Sequence, residues 1–381
     1  MSKRRCFFTL YRFELLKILK NKVAIVTFLI FFVFSFVQGE FEITGNIKPE
    51  ELGDYQTFDG RVIDDEFVDE LKAVTDEDGE FKGEEEKAYL DLRNWINSVF
   101  EYKADYTELD AAKIYEERDK GIEESFQEEK LSEGEIAFWR EKEKDVAKPF
   151  EFFSDWVPSG ILEGTTNFSI YMIILVATGL AMIFSMETQR KTDPMIRATI
   201  NGNAKLYFAK VLAGFSYVMT CLLLIVVGFL TYLGLRWGFS GMNAAVQVYW
   251  PLAAENMSLW KLEGIIIVML VVFALLLSAF ALFVSNLTRN GVATMAIVIG
   301  GCLGMFALST SIPMEHRFVS QIVQLLSPSV ISSRLVYEFR LINMGKYFTV
   351  YEFVPMLYIF LSVLLIVMGY FIYRKYEIKN S

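Results

Sequence analysis

The chain alternates between long apolar stretches and strongly polar ones. Six charge-free apolar runs, each of about 20 residues, are long enough to cross the roughly 30 Å hydrocarbon core of a bilayer. We place the predicted transmembrane helices at 23–39, 166–186, 211–235, 264–288, 290–314 and 353–373. The pattern therefore predicts an all-α polytopic membrane protein with six transmembrane helices.

The first apolar run is the shortest, and a signal peptide is the alternative interpretation because Lys3, Arg4 and Arg5 precede it. No small-x-small cleavage pattern follows the run. The preceding segment, 7–21, carries apolar residues at helical spacing with basic residues between them, which is typical of an amphipathic helix at a membrane surface. We predict a retained transmembrane helix preceded by an amphipathic arm, 1–22; a simple basic flank is the alternative for the arm.

Composition and charge add an orientation to this pattern. The chain is 53% hydrophobic and contains 34 Phe, and its net charge of −10 is unevenly distributed. Residues 40–165 contain 38 acidic and 15 basic residues, a net of −23, whereas the rest of the chain carries a net of +13. Lys and Arg in short loops are retained in the cytoplasm, and six spans bring all the short basic segments to one side. Both termini are therefore predicted to be cytoplasmic and segment 40–165 to be extracytoplasmic.

The acidic segment 40–165 is predicted to fold as a mainly helical domain inserted between the first two spans. Apolar residues recur at helical spacing in 84–103, and the segments 107–127 and 132–146 open with the capping signatures Thr107-x-x-Asp110 and Ser132-x-x-Glu135. Most of its carboxylates are interpreted as a solvated face. A cation site among Asp64, Asp65, Glu66 or 84–86 is the alternative.

The remaining connections are a cytoplasmic loop at 187–210, an amphipathic extracytoplasmic segment at 315–352 and a cytoplasmic tail at 374–381. The three cysteines, Cys6, Cys221 and Cys302, do not form a disulfide framework, because they lie in the arm and in two different predicted spans. They are predicted to be free thiols.

Several kinds of chemistry have no sequence signature here. The chain has no G-x-x-x-x-G-K-[ST] phosphate-binding loop and no G-x-S-x-G elbow, and its single histidine, His316, excludes an H-E-x-x-H zinc site. The predicted spans contain no ionisable residue, which is unfavourable for a transporter driven by its own ion relay. We therefore predict that the chain is not an enzyme, contains no metal site and moves only when a partner supplies the energy.

The cytoplasmic loop 187–210 is the most informative polar segment. It reads ETQRKTDPMIRATINGNAKLYFAK, in which Asp193-Pro194 is a helix start and Asn201-Gly202 a helix stop. Between them Met195, Ile196 and Ile200 form a small apolar face. Such a face indicates a docking helix for another protein, and an ordinary connecting loop is the alternative.

The fifth predicted span contains Gly300, Gly301 and Gly304, a small-xxx-small pattern that allows another helix to approach closely. We interpret Gly300 and Gly304 as helix-packing positions. Contact within one chain is the favoured interpretation, and contact with a second copy is the alternative.

Together, the basic arm, the six spans and the loop resemble the ABC-2 type permeases, in particular bacterial members with a large outer loop between the first two spans. The resemblance covers the membrane portion. It rests on topology and on the loop sequence, which reads Glu187, then basic residues, Thr-Asp-Pro, Arg-x-Thr and a lysine entering the third span. The Gly-Thr often found after the glutamate in that family is absent.

The resemblance implies a permease that pairs with a separate ATPase subunit, which binds the ATP and Mg²⁺, and with a second permease subunit. The family's coupling helix, which docks on the ATPase, corresponds to Asp193, Met195, Ile196, Arg197 and Ile200. Glu187 corresponds to the family's acidic residue at the inner end of the second span. The expected location is the bacterial plasma membrane, the expected partners are proteins and lipid, and no nucleic acid is expected.

A second hypothesis comes from a different class. The acidic domain of a membrane receptor or immunity protein would capture a cationic peptide without transporting it, and such attraction would weaken with salt. A membrane-embedded enzyme is the third hypothesis, but no nucleophile with a base supports it. The substrate of a transporter cannot be read from the sequence.

Overall fold

The computed structural model describes residues 3–45, 49–76, 80–83, 87–192, 195, 204–313 and 316–375. Within these ranges the chain forms fourteen α-helices and one two-stranded antiparallel hairpin. The elements are α1 (Lys3–Leu19), α2 (Lys22–Thr44), α3 (Leu52–Tyr55), α4 (Asp65–Val74), α5 (Lys87–Val99), α6 (Ala111–Glu128), α7 (Glu133–Glu143), α8 (Trp156–Leu180), α9 (Ser185–Gln189), α10 (Ala204–Arg236), α11 (Leu259–Thr288), α12 (Gly291–Ser311), α13 (Arg317–Leu326), β1 (Ile342–Asn343), β2 (Tyr347–Phe348) and α14 (Val350–Lys375).

Six of the described helical segments are long and apolar enough to cross a membrane: α2, α8 continued by α9, α10, α11, α12 and α14. The prediction of a mainly helical chain with six apolar spans is confirmed. Consecutive spans run in opposite directions, so the bundle has one end at which α1 lies and α14 finishes, and another end that carries the segment between α2 and α8. We call these the termini end and the domain end.

Most of the spanning helices are longer than the charge-free runs predicted. Helix α8 begins at Trp156 and includes Glu163, α11 begins at Leu259 and includes Glu263, and α10 begins at Ala204 and includes Lys210. The prediction stopped at the first charged residue, but a helix continues while its backbone hydrogen bonds are satisfied and its charged side chains find partners. The helices thus extend past the predicted spans and include these charged residues near their ends.

Helices α8 and α11 form the centre of the bundle. In their most apolar windows 78% and 61% of the residues are buried, against 17% for α2 and 22% for both α12 and α14. Helices α2, α12 and α14 therefore expose most of their apolar surface outside the chain. In a membrane protein such surface faces lipid or another subunit.

Phe229 of α10 marks a point where three helices come together. Its ring fills the space left by Gly39 of α2 and Gly164 of α8, and a Cβ at Gly164 would overlap the ring. The ring also packs edge to face on Phe168, with centroids 5.0 Å apart. The two glycines therefore let α2 and α8 close around one aromatic side chain of α10.

The segment between α2 and α8 folds around its own core, and we call residues 49–155 the inserted domain. The buried core side chains come from α4, α5 and α6 and from the segment before α8; they include Phe67, Val68, Leu71, Leu92, Ile96, Ile114, Phe150 and Phe152. Where the chain enters and leaves the domain, its two segments pair: Gly60 N–H donates to Phe152 O at 2.7 Å and Ile63 N–H to Phe150 O at 2.9 Å. The domain is thus closed at its base.

Capping residues explain where the domain helices begin. Glu135 accepts hydrogen bonds from the Ser132 backbone at 2.8 Å and the Ser132 hydroxyl at 2.7 Å, so the predicted capping signature before α7 is confirmed. The signature at Thr107 is wrong. Helix α6 starts at Ala111, and its cap is Asp110, which accepts from the Lys113 N–H at 2.7 Å.

Buried polar contacts fasten the inserted domain to the connection between α10 and α11, residues 237–258. The side chain of Arg118 on α6 is fully buried; its Nε donates to Pro251 O at 2.7 Å and its Nη2 to Ala253 O at 2.8 Å. Trp95 Nε1 donates to Gln247 O at 2.8 Å. These buried donors form hydrogen bonds with backbone carbonyls of another segment instead of with water. The domain and the connection therefore form one body.

The connection between α12 and α14 joins the same body. Trp139 of α7 is fully buried against Phe339, and its Nε1 donates to Phe339 O at 2.7 Å. Glu255 accepts from Lys142 at 2.6 Å and from the Tyr351 hydroxyl at the start of α14. The segment predicted as amphipathic, 315–352, contains α13 and the β1–β2 hairpin and lies against the inserted domain.

Candidate functional site

The termini end of the bundle contains a buried network of four charged side chains. Lys210 of α10 is fully buried, and its Nζ donates to Glu187 Oε1 at 2.8 Å and to Glu14 Oε2 at 3.0 Å. Lys17 Nζ donates to Glu14 Oε1 at 2.7 Å and to Glu187 Oε1 at 3.1 Å. Two cations and two anions thus compensate each other in a site that excludes most water, and we call these four residues the charge network.

Three separate elements supply the charge network. Glu14 and Lys17 lie one turn apart on α1, Glu187 lies on the short helix α9, and Lys210 lies near the start of α10. The chain turns between α8 and α9, which brings Ile183 O within 2.9 Å of Lys210 Nζ as a further acceptor. The network therefore joins the N-terminal arm to both flanks of the loop 190–203.

The network also fixes which face of α1 points inward. Glu14 and Ile18 are buried against the bundle, whereas Phe8 and Phe13 are 65% and 59% exposed. The Tyr11 hydroxyl donates to Ser216 Oγ of α10 at 3.0 Å. The arm is helical, as predicted; it turns Glu14 toward the bundle and leaves Arg12 and the two phenylalanine rings exposed, which suits a helix lying in a membrane interface.

Of the predicted loop residues, the structure places Glu187 in the charge network and describes Met195. The Met195 side chain is 76% exposed, so the loop 190–203 presents an apolar group to its surroundings. The other predicted docking residues, Asp193, Ile196, Arg197 and Ile200, lie outside the described residues.

Gly300 and Gly304 face away from the rest of the described chain. A Cβ at either position would meet no described atom within 4 Å, so contact within one chain, the favoured interpretation, is wrong for the residues described. Beside this face, α8 and α12 form a cleft of about 420 Å³. Polar side chains of α8, Thr166, Asn167 and Ser169, line the cleft together with apolar ones of α12.

Two carboxylates near the domain end were not identified from the sequence. Glu263 is 1% exposed, and its Oε1 accepts from Thr165 Oγ1 at 2.8 Å. Glu163 Oε1 accepts from Ser333 Oγ at 2.7 Å and from the Tyr249 hydroxyl at 3.1 Å. Each lies at the edge of an apolar run, where a carboxylate is usually exposed to solvent. Only the contacts with distant residues show that these two are buried or hydrogen-bonded instead.

Two of the acidic residues proposed as a cation site accept backbone hydrogen bonds in the structure. Asp64 caps α4 by accepting from the Phe67 N–H at 3.0 Å, and Asp65 accepts from the Ala111 N–H at 2.9 Å. Residues 84–86 lie outside the described residues. Across the described ranges, no group of three or more His, Cys, Asp or Glu side chains is arranged to hold a metal ion.

A carboxyl pair lies where the inserted domain meets the start of α8. Burial, and then the nearby charge of Asp155, raises the pKa of Asp91 to about 7, and burial also raises the pKa of Asp155. The pair lines a cavity of about 330 Å³ together with Glu42 of α2 and Tyr249. Asp91 accepts from Ser154 Oγ at 2.7 Å.

We expect this pair to make the protein more stable in mild acid. An Asp whose folded pKa is raised above the ordinary value of 3.8 binds more protons when folded, so stability increases as the pH falls from about 7 toward 4. The apparent melting temperature of the purified chain should therefore be higher at pH 6 than at pH 8. Asp91→Asn should make this difference smaller, while Asp69→Asn, at an exposed position of the same domain, should retain it in full; Glu129, whose pKa burial raises to about 7, accounts for part of what remains. A difference unchanged by Asp91→Asn would contradict the assignment.

In comparisons with protein-family models, curated proteins and solved structures, the chain matches none of them.

Proposed function

We propose that this chain is the membrane-embedded permease subunit of an ATP-driven exporter of the ABC-2 type. ATP and Mg²⁺ bind a separate ATPase subunit, and the permease changes conformation when that partner closes. The observation that carries the proposal is the charge network, because it ties the arm to both flanks of the loop that resembles a coupling helix.

The network gives that loop a mechanical connection to the spans. Force applied to residues between α9 and α10 acts on Glu187 and Lys210, which are bonded to each other and to Glu14 of the arm. Since a buried charged group is costly to separate from its partners, the three elements move together. A partner that pushes the loop would therefore shift the second and third spans with the arm, which is what alternation between two states requires.

The exposed side chain of Met195 supports a protein partner at the same place. This apolar side chain, 76% exposed in the loop that follows Glu187, would be covered by a protein docked on that loop. With the termini end cytoplasmic, as the basic residues of the short loops favour, this surface faces the compartment that holds ATP. The inserted domain then lies outside a bacterial plasma membrane.

The exposed face of α12 supports a second permease subunit. Gly300 and Gly304 leave open space on a spanning helix with little burial of its own, and the polar side chain of Asn167 lines the adjoining cleft. Polar groups on an outward face of a bundle are unfavourable against lipid tails. A second copy or a homologous subunit packed there would enclose them.

Docking of the ATPase can be tested by co-purification. We expect the double substitution of Met195→Asp and Ile196→Asp to reduce recovery of the ATPase by at least about tenfold, since losing two apolar contacts at the centre of an interface typically costs more than about 1.4 kcal/mol. The matched control is Met344→Asp, because Met344 is also exposed, at 69%, but lies at the domain end.

The partner for this test is the P-loop ATPase that the proposal requires, and a gene for such an ATPase next to that of this chain would identify it. Equal recovery of that ATPase with the double variant and with wild type would exclude docking through this face. ATP hydrolysis, measured in the same samples, shows whether the contact that remains between the variant chain and the ATPase still couples the two subunits.

A further inference from the structure

At the domain end, an apolar groove of about 640 Å³ lies between α13, the β1–β2 hairpin and the first turns of α14. Its floor includes the buried Leu325 and Leu341, and its exposed rim includes Phe318 and Met344, which are 77% and 69% exposed. The volume is within the usual range for a site that holds one small molecule.

The lower part of the groove belongs to a membrane-spanning helix. Leu357 and Leu361 line it from α14, one turn apart, and the neighbouring Phe360 and Leu364 are 64% and 42% exposed on the same helix. Because α14 presents most of its surface outside the chain, the groove is continuous with the surface that contacts hydrocarbon. A flexible apolar chain can therefore enter it from the side, without crossing water.

The opposite part of the groove carries a cation. Arg317 bonds to Glu135, but that carboxylate also accepts from the Ser132 backbone at 2.8 Å, the Ser132 hydroxyl at 2.7 Å and the Leu341 N–H at 3.0 Å. Glu135 is thus well satisfied by dipoles, while the Arg317 side chain remains 36% exposed toward the groove. A guanidinium in this position has donors left for an anionic oxygen, and phosphate suits its geometry.

We infer that this groove is a binding site for one membrane phospholipid, with an acyl chain between α13 and α14 and the phosphate beside Arg317. The groove runs from Leu357 and Leu361 on the spanning helix α14 to Arg317 on α13 at the domain end. A phospholipid in a bilayer leaflet presents its acyl chain and its phosphate in the same order. Gln321 and the exposed Asn343 line the same polar end, where a headgroup would lie. The inference needs only that α14 spans a membrane and is independent of the proposed transport role.

Bound lipid would also affect the inserted domain. Arg317 of α13 contacts Glu135 of α7, so an occupied groove would hold α13, the hairpin and the domain in one arrangement. A phospholipid in this groove would therefore contact the inserted domain, α13 and the β1–β2 hairpin at the domain end.

The test is native mass spectrometry of the full-length chain in detergent, titrated with palmitoyl-oleoyl phosphatidylglycerol. We expect one phospholipid to bind more tightly than any further one. Leu357→Trp and Leu361→Trp fill the groove and should weaken that first binding step by about tenfold. Leu364→Trp, at an exposed position one turn beyond the groove, is the matched control and should bind like wild type. Size-exclusion profiles show that each variant is folded.

Two further results would overturn the inference. One is a first binding step that is unchanged in both groove-filling variants or absent in wild type. The other concerns the phosphate: Arg317→Lys, which keeps the charge, should retain more binding than Arg317→Gln. If Arg317→Gln binds the phospholipid as tightly as wild type, the phosphate does not lie beside this residue.

Discussion

Replacing Lys210 by Met should destabilise the chain by about 3–5 kcal/mol, because the substitution leaves two buried carboxylates facing a single lysine. Glu14 and Glu187 are 1% and 4% exposed, so water cannot solvate the excess negative charge. The measurement is the apparent free energy of unfolding of the detergent-solubilised chain. Lys20→Met is the control, since Lys20 lies near the end of the same arm and is exposed.

The double variant of Lys210→Met and Glu187→Gln separates charge compensation from simple packing loss. It leaves Glu14 paired with Lys17 and removes the excess charge, so it should be more stable than Lys210→Met alone. If adding Glu187→Gln destabilises the protein further, the two side chains are not coupled through their charges. If the ATPase activity of the complex falls by more than the amount of folded protein, the charge network also takes part in the coupling between the chain and its ATPase.

Replacing Arg118 by Met should likewise cost about 3–5 kcal/mol, and the damage should be concentrated in the inserted domain. The substitution leaves the carbonyls of Pro251 and Ala253 without the guanidinium donor and leaves Glu143 with only the ion pair to Lys148. Hydrogen exchange followed by mass spectrometry should show faster exchange in α6 and in residues 237–258. Exchange in α11, at the centre of the bundle, should be much less affected.

Arg140→Met is a close control for this experiment. Arg140 also lies in the inserted domain and pairs with Glu123 at 2.7 Å, but its side chain is 61% exposed. A solvent-exposed ion pair is worth at most about 1 kcal/mol, so this variant should exchange nearly like wild type. Equal effects of the two substitutions would mean that Arg118 does not fasten the domain to its neighbouring connection.

The sequence predicted the spans well because a spanning helix must be apolar along a length set by the bilayer, and that requirement is local. It placed the span boundaries at charged residues, and several of the helices continue past them. Glu163 and Glu263 interrupt apolar runs and were placed outside the spans, yet Thr165 supplies a partner for Glu263 from another helix. Whether a charge ends a span or is buried in it depends on tertiary neighbours, which the local pattern does not contain.

The candidate site was found only in part for the same reason. Glu187 was identified through a resemblance, and its partners Glu14 and Lys210 are 173 and 23 residues away in sequence. The pattern of the arm did not single out Glu14, which the structure buries against the bundle. At Gly300 and Gly304 the sequence showed that close approach was possible, but it did not show that the described chain leaves the space open.

The pairing of Gly60 and Ile63 with Phe152 and Phe150 has a consequence for how this architecture can vary. The chain enters and leaves the inserted domain at adjacent points, so the separation of the first two spans does not depend on how many residues lie between those points. The length of the domain can thus change between these points without changing the spacing of α2 and α8, provided that Trp95, Arg118 and Trp139 keep their contacts with the other two connections. A chimaeric chain with another domain grafted at this base would have to reproduce those contacts.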